Sequence, residues 1–580
     1  MATPLHPLHL SRLSDLGEAL LDAVVTYRDN TALIEVDRHR DTRRLSYRDA
    51  RVEAENVGSA LQAHGFAPGD RLAILLSNQS RWLTTAMGAF WSGAVVVPVD
   101  YKLTPAEQVA LLRHAQPKVV VTEYPTWQKL RMEDGAREVL EDVRIYLSDV
   151  PAGASLPPRV GRLEAIGLEP SGPFVRRTRL RSDQATLVYS SGTGGTPKGC
   201  QLTHGNYLSQ AEVLGNLFPM AEDDRYFSIL PTNHAIDFCC GFLIPLLMGA
   251  SVVHQRTLRP QFLTSTMKRY GVTHMAIVPL LLKTLRQKLE ERLDALPSWQ
   301  RIALDGLQSL NELATLRAPR HRVSSTLLKP IHDELGGRLR LMFCGGAFVD
   351  AETAEFFYRL GLPVVIGYGL TEAGVVLTVN DLKPFRADTV GRPIPGTEVV
   401  IRDANSEGVG EVWVRGPSLM AGYRDAPELT AETLVDGWLR TGDLGLLDLS
   451  GHLKLVGRSK NMIVTEGGKN VYPEDLEAAF EGLRDTAELA VFAANFIWPT
   501  GKLTEEQLCV VIRPKTGAEL SPACLEDLGR RNRQLTDYKR LSGVVVCSDE
   551  FPRTASMKVK RLELALRLRE SLTRDNLRPL

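Results

Sequence analysis

Between residues 186 and 199 the chain reads TLVYSSGTGGTPKG: a short apolar run that predicts a strand, then a loop dense in glycine and hydroxyl groups, closed by one lysine. Such a loop suits an anion. Its glycines let backbone N–H groups approach a phosphate, Ser190, Ser191, Thr193 and Thr196 offer hydroxyl donors, and Lys198 offers a mobile cation. The spacing is not that of a Walker loop, in which Gly-Lys-Ser/Thr follows a fixed gap, because Lys198 stands between Pro197 and Gly199. Taken alone, the loop is as readily a flexible surface turn, so its meaning depends on the rest of the chain.

Five further segments come after it in order: CGGAFV at 344–349, IGYGLTEAG at 366–374, LRTGDLG at 439–445, GRSKNMIVTEGGKNVYPEDLE at 457–477 and PRTASMKVKR at 552–561. Each is weak by itself. In this order and at these separations they resemble the adenylate-forming superfamily of acyl-CoA synthetases, nonribosomal-peptide adenylation domains and firefly luciferase, and most of all its bacterial long-chain fatty acyl-CoA synthetases. The resemblance covers nearly the whole chain, including the early LSYRDA and GDRLAILL segments and YKRL at 538–541.

The resemblance implies activation of a carboxylic acid by ATP and Mg2+, giving acyl-AMP and pyrophosphate, followed by transfer to the thiol of CoA. A carboxylate is a poor electrophile, and its attack on the α-phosphorus brings two anions together, so cations and donors are needed. By similarity, Ser190, Ser191, Gly192, Thr193, Gly194, Gly195, Thr196 and Lys198 hold the β- and γ-phosphates. Thr371 contacts the α-phosphate, and Glu372 helps hold Mg2+, whose hard charge suits oxygen ligands. Gly345, Gly346, Ala347, Tyr368 and Gly369 are nucleotide contacts, flanking the adenine and the acyl carbon. Asp443 accepts from the ribose hydroxyls, and Arg458 reaches the same sugar.

Lys558 is the expected bridge between the attacking carboxylate and the α-phosphate, since an ammonium on a flexible stem can enter for one step and leave for another. Without the resemblance it is one solvated basic residue among several in KVKR. Lys460 holds the hinge position about which a small C-terminal domain rotates, withdrawing Lys558 and bringing Gly467 and Gly468 toward the thiol channel. Three departures stand out. Gly194 replaces the usual threonine and removes a donor, Met557 replaces a common glycine, and Asn461 replaces an acidic residue after the hinge.

Amino-acid-activating relatives place an aspartate for the substrate ammonium at a set distance before a Gly-Ala, here Gly249-Ala250; that position falls on Phe238, with Asp237 one residue out of register. A buried ammonium without a counter-ion is costly. His234, in LPTNHAIDFCCG, stands where acyl- and aryl-CoA ligases carry a histidine and can line the passage between carboxylate and thiol; a hydrogen-bonded core histidine is its structural alternative. The small and apolar residues around it, Ala235, Ile236, Phe238, Gly241 and Phe242, favour an aliphatic tail. The expected function is therefore an ATP-dependent, AMP-forming fatty acid:CoA ligase for a medium- or long-chain substrate. Two alternatives stay open: an acyl-AMP ligase loading the phosphopantetheine of an acyl carrier protein, and a degenerate member that binds acyl chains or nucleotide without turnover.

Positioning these residues takes at least two domains, since 580 residues and 64.1 kDa exceed one ordinary core. The expected class is α/β: a large N-terminal domain, 1–457, of parallel-sheet subdomains plus a small β-barrel-like part at 391–451, and a smaller mobile α+β domain, 458–580, carrying Lys558. Helix, turn and buried strand are legible early: Ser46 can cap a helix with Asp49, Tyr47, Ala50, Ala54, Val57 and Leu61 recur at helical spacing, and Pro68-Gly69-Asp70 leads into RLAILL.

The stretch 148–182 reads as a surface connection, with Arg176, Arg177, Arg179 and Arg181 as solvated charge. Sixty-nine Lys plus Arg balance 69 Asp plus Glu, so no global field draws the chain to nucleic acid. The longest apolar stretch, 241–253, is too short to span a bilayer and contains Pro245 and Gly249. No secretory signal is read in the N-terminal residues, so the cytoplasm is the expected compartment. Contact with the inner membrane face through Leu562, Ala565, Leu568 and Leu572 is left open, packing of that helix on its own domain being favoured. Seven cysteines without a CxxC pair read as buried small hydrophobes.

Overall fold

Ser46 starts the first long helix of the core as expected: its hydroxyl accepts from the Asp49 N–H while the Asp49 carboxylate accepts from the Ser46 N–H, and the helix runs Tyr47–Ala63. Tyr47, Ala50, Ala54, Val57 and Leu61 form its buried face. The strand Arg71–Leu75 follows and pairs in parallel with Val95–Pro98 on one side and Val119–Glu123 on the other. This computed structural model describes residues 7–168, 172–190, 197–315, 318–346, 348–461, 463–464, 470–499, 507–517, 519–554 and 558–580. Ser191, Gly192, Thr193, Gly194, Gly195, Thr196, Ala347, Gly467, Gly468 and Met557 lie outside the described residues, and Ser190 and Lys460 are described by backbone alone.

The chain divides into two compact units, Met1–Glu398 with Val414–Leu439, and Val399–Trp413 with Arg440–Leu580. The first unit holds two large sheets. In the nine-stranded one, Val364–Tyr368, Leu341–Gly345, His274–Ile277, Arg225–Ser228, Ser251–Gln255 and Thr31–Asp37 are neighbours in that order and all parallel. In the eight-stranded one, Gln184–Ser190 leads a parallel run through Val95–Pro98 and Arg71–Leu75. The central strands are buried along their whole length, which is why they read as unbroken apolar runs such as LMFCG and VVVP. Open parallel sheets receive ligands at the carboxyl ends of their strands. Three of the sequence motifs sit there: Ser190, Gly345 and Tyr368 are each the last residue of a strand.

The β-rich part takes the form of a five-stranded sheet, with Leu453–Arg458 antiparallel to Trp438–Leu447; no closed barrel is found among the described residues. The second unit also contains a four-stranded mixed sheet in which Leu508–Pro514 is central, antiparallel to Thr486–Ala493 and parallel to Gly543–Val546. Its C-terminal helix, Arg561–Ser571, buries Leu564, Ala565 and Leu568 in that unit's core, while Leu562 is 45% exposed. No helix among the described residues is long and apolar enough to cross a membrane.

The arginine-rich connection departs from expectation. It contains the strand Val160–Arg162 and a short helix, and two of its arginines are structural: Arg176 lies 2.6 Å from the buried carboxylate of Asp15, and Arg181 donates to the carbonyls of Leu10 and Leu13. Charge density in a sequence does not say where a buried counter-ion lies. Six of the seven cysteines are buried and Cys547 is half-buried.

Candidate active site

Strand pairing sets the base of the phosphate-type loop, because Ser190 pairs with Lys198 across the antiparallel hairpin of Gln184–Ser190 and Lys198–Thr203. Lys198 is half-buried beside the loop. The far edge of Lys198–Thr203 pairs with Gly422–Tyr423, and this pairing carries Tyr423 to Glu372: the Tyr423 hydroxyl donates to Glu372 Oε1 at 2.9 Å. Met420 N–H holds the Glu372 carbonyl at 2.8 Å. Burial, and then the adjacent Glu372 charge, push the Tyr423 hydroxyl well above its ordinary range, so it stays a neutral donor at any working pH. A carboxylate oriented through one oxygen, in a turn that also presents the Thr371 hydroxyl, is a donor set of the hard-oxygen kind that fits Mg2+. That turn, Thr371–Ala373, packs against both strands of the hairpin.

Close backbone approach explains the glycines beside it. A Cβ on Gly369 would lie 1.7 Å from the Val375 carbonyl, and Gly346, just past the end of its strand, has φ +82°. Tyr368 is buried, and Gly345 pairs with Gly367 on the neighbouring strand. In the first unit Ser190, Gly345 and Tyr368 thus end strands of the two sheets, Gly346 and Gly369 follow directly, Lys198 pairs with Ser190, and the turn carrying Thr371 and Glu372 packs on the hairpin that Ser190 and Lys198 close.

Between the helix His204–Leu217 and the strands Leu341–Gly345 and Val364–Tyr368 lies an apolar cavity of about 20 Å³, lined by Leu214, Phe218, Ile236, Cys240, Phe343 and Gly367 among others. That is room for about one water, so an acyl chain entering here has to turn side chains aside, the edge-to-face pair Phe218 and Phe343 foremost. The Cys344 thiol at its edge is pushed up to about 12 by burial and is not a nucleophile at neutral pH. Asp237 turns elsewhere. Fully buried, it accepts from Ser228 Oγ at 2.8 Å and Thr232 Oγ1 at 3.0 Å, and burial pushes its carboxyl up to about 7.

His234 precedes the short helix that contributes Ile236 to the cavity, and its Nε2 lies 3.9 Å from Asp100 Oδ2. Asp100 is buried at the end of the strand Val95–Pro98, with Oδ1 accepting from the Lys102 N–H at 2.9 Å.

In the second unit, Asp443 and Arg458 face one another across paired strands, with Arg458 Nε 2.9 Å from Asp443 Oδ1. Lys558 is tied to Thr554 through the backbone: Thr554 N–H donates to the Lys558 carbonyl at 2.7 Å, and Lys558 N–H donates to Thr554 Oγ1 at 3.1 Å. Arg553, next to Thr554, places two N–H groups on Glu488, at 2.6 and 3.0 Å. Asn461, beside the expected hinge, donates to Glu474 at 2.7 Å.

Tyr423, Asp100 and Glu488 carry no signal in the sequence. Tyr423 lies 51 residues from Glu372, and only the pairing of a two-residue strand joins them; Glu488 reads as one polar position in the strand TAELAVFA.

A family model described as AMP-binding enzyme matches residues 20–424, more than half of the chain. The chain belongs to the AMP-binding enzyme family. Its curated relatives include the long-chain-fatty-acid–CoA ligase FadD15 of Mycobacterium bovis, 29% identical over 71% of this chain and 69% of that protein. Another is a feruloyl-CoA synthase of Amycolatopsis, 29% identical over 90% of this chain and 94% of its own. Among solved structures, the o-succinylbenzoate CoA synthetase of Bacillus subtilis in complex with ATP and magnesium superposes with a TM-score of 0.73 at 22% identity, covering 94% of this chain and 98% of that one. It shares the fold of this AMP-binding enzyme.

Proposed function

We propose that this family member is an ATP-dependent, AMP-forming acid–thiol ligase that joins a medium- or long-chain fatty acid to CoA through acyl-AMP. The observation that carries the substrate class is the cavity against Leu341–Gly345 and Val364–Tyr368: its named lining offers no charged side chain, and Asp237, on the short helix beside it, is spent on Ser228 and Thr232. An aliphatic chain that turns these side chains aside leaves no polar group unpaired, whereas an ammonium or a second carboxylate has no partner there. The relatives act on fatty acids and on ferulate by name, so the acid is to be decided by assay.

In this reading the loop 190–198 and Lys198 hold the β- and γ-phosphates, and Thr371 donates to the α-phosphate. Glu372, steadied by Tyr423, holds Mg2+, which when bound neutralises phosphate charge. Asp443 and Arg458 take the ribose hydroxyls. Lys558 bridges the substrate carboxylate and the α-phosphate. Residues 458–580 then move as one body about Lys460, withdrawing Lys558 and bringing Gly467 and Gly468 to the thiol channel. His234 lines the path by which the CoA sulfur reaches the acyl carbon: a C–S bond forms, the C–O bond to phosphate breaks, AMP leaves with the electron pair, and the thiol proton is lost. In this reading the enzyme draws its ATP and CoA from the cytoplasm.

The test is pyrophosphate release from ATP and Mg2+ across carboxylates from acetate to oleate, plus ferulate, benzoates and amino acids, each with and without CoA. Release that peaks with aliphatic acids and turns over on adding CoA is expected. Release limited to about one enzyme equivalent and unmoved by CoA selects carrier-protein loading instead, and a peak with aromatic acids overturns the fatty-acid reading.

A further inference from the structure

The helix Ser298–Thr315 wears its hydrophobic residues on both sides. Its inner face buries Leu304, Asn311 and Thr315, with Asn311 Nδ2 donating to the Arg359 carbonyl at 2.8 Å. Its outer face leaves Trp299, Ile302, Leu310 and Leu313 exposed by 69%, 72%, 55% and 73%. Single exposed hydrophobics need no explanation, but a contiguous stripe does. At 100° per residue these four and Gly306 fall within about 40° of one line along the helix.

The stripe is also symmetric. Trp299 and Leu313 lie seven residues either side of Gly306, and Ile302 and Leu310 lie four either side. A Cβ placed on Gly306 meets nothing within 4 Å, so a second backbone can cross closely there.

We propose that this face is an isologous interface, on which a second copy of the chain packs its own helix antiparallel with the two-fold axis at Gly306. A two-fold interface must map onto itself, and this stripe does: Trp299 meets Leu313 of the second copy, and Ile302 meets Leu310, twice over. Arg301 and Glu312 stand about 120–140° round from the line, clear of the contact, and pair within their own chain with Asp294 and Arg359, while Asp305, about 100° round and near the axis, adds one like-charge approach that salt screens.

A lipid surface suits the helix less well, because its charged residues, Arg301, Asp305 and Glu312, leave it acidic, and interfacial helices carry Lys and Arg. Four large side chains, each more than half exposed, bury on the order of 500 Å² per copy, about 1,000 Å² in all, the lower end for a specific contact. The dimer is therefore a reversible one.

Sedimentation velocity of the full chain from low micromolar to a hundredfold higher concentration, without and with Leu310→Glu, tests this. A monomer–dimer equilibrium whose dissociation constant rises at least about tenfold in the variant is expected. Gly306→Cys, which fits the open space, should give one disulfide-linked dimer on mild oxidation while the unaltered chain, with its half-buried Cys547, gives none. A monomer at every concentration overturns the proposal. A dimer indifferent to Leu310→Glu with no Gly306→Cys cross-link overturns it too, as does a monomer that floats with phosphatidylcholine–phosphatidylglycerol vesicles, which would assign the face to lipid.

Discussion

Asp237 offers a pH test of the fold around the cavity. It is 1% exposed, and burial raises its carboxyl from an ordinary 3.8 to about 7. A carboxyl held higher in the folded state than in the unfolded one is favoured there as the acid. Its contribution is fully present below the unfolded value and is lost as pH climbs toward the folded one. The whole shift corresponds to roughly 4 kcal/mol, of which about 2 kcal/mol falls between pH ~5.5 and pH ~8. Asp237→Asn removes the titration and keeps the shape, and the Ser228 and Thr232 hydroxyls can rotate to accept from the new amide. Thermal unfolding at the two pH values, for parent and variant, should show the parent losing about 2 °C more than the variant on going to the higher pH. Pyrophosphate release should persist in the variant, since this side chain faces away from the acyl path. Identical pH dependence in the two proteins would refute the argument that burial keeps Asp237 protonated.

Tyr423→Phe deletes a hydroxyl that orients Glu372; a hydrogen bond to a charged group contributes about 1.5–3 kcal/mol, so Mg2+ titration of pyrophosphate release should shift by roughly tenfold or more. Superimposable Mg2+ curves would show that Glu372 needs no such support. Asp100→Asn, which removes the carboxylate facing His234, should slow thioester formation from supplied acyl-AMP about tenfold and leave pyrophosphate release unchanged. Equal loss in both half-reactions would make Asp100 a folding residue. Lys558→Ala should nearly abolish acyl-AMP formation while sparing thioester formation from supplied acyl-AMP; a drop in both would mark the lysine as structural.

Much of this was legible in one sequence because it is written locally. The capping box of Ser46 and Asp49, the helical spacing of the residues after it and the fully apolar strands each depend on neighbours a few positions away. The ordered motifs were visible for a related reason: a loop that must admit phosphate or let two backbones touch demands glycine, and that demand survives in the letters. The inner arginines of the 148–182 connection were not legible. Whether Arg176 is solvated or holds Asp15 depends on a contact across 161 residues, and no local pattern encodes it.

The same division runs through the site. Residue type and order, through the resemblance they carry, pointed to the family, and it is that resemblance that singles out Glu372, Asp443 and Lys558 for the proposed roles of a hard oxygen, a ribose acceptor and a mobile cation. Tertiary structure alone decided the partners: Tyr423 on Glu372 through a short edge strand, Asp100 opposite His234, Glu488 on Arg553, and Asp237 drawn away from the cavity by Ser228 and Thr232. Such partners satisfy buried charge and polarity, and what a buried group meets is set by how distant elements pack, a property of the folded chain rather than of any stretch of it.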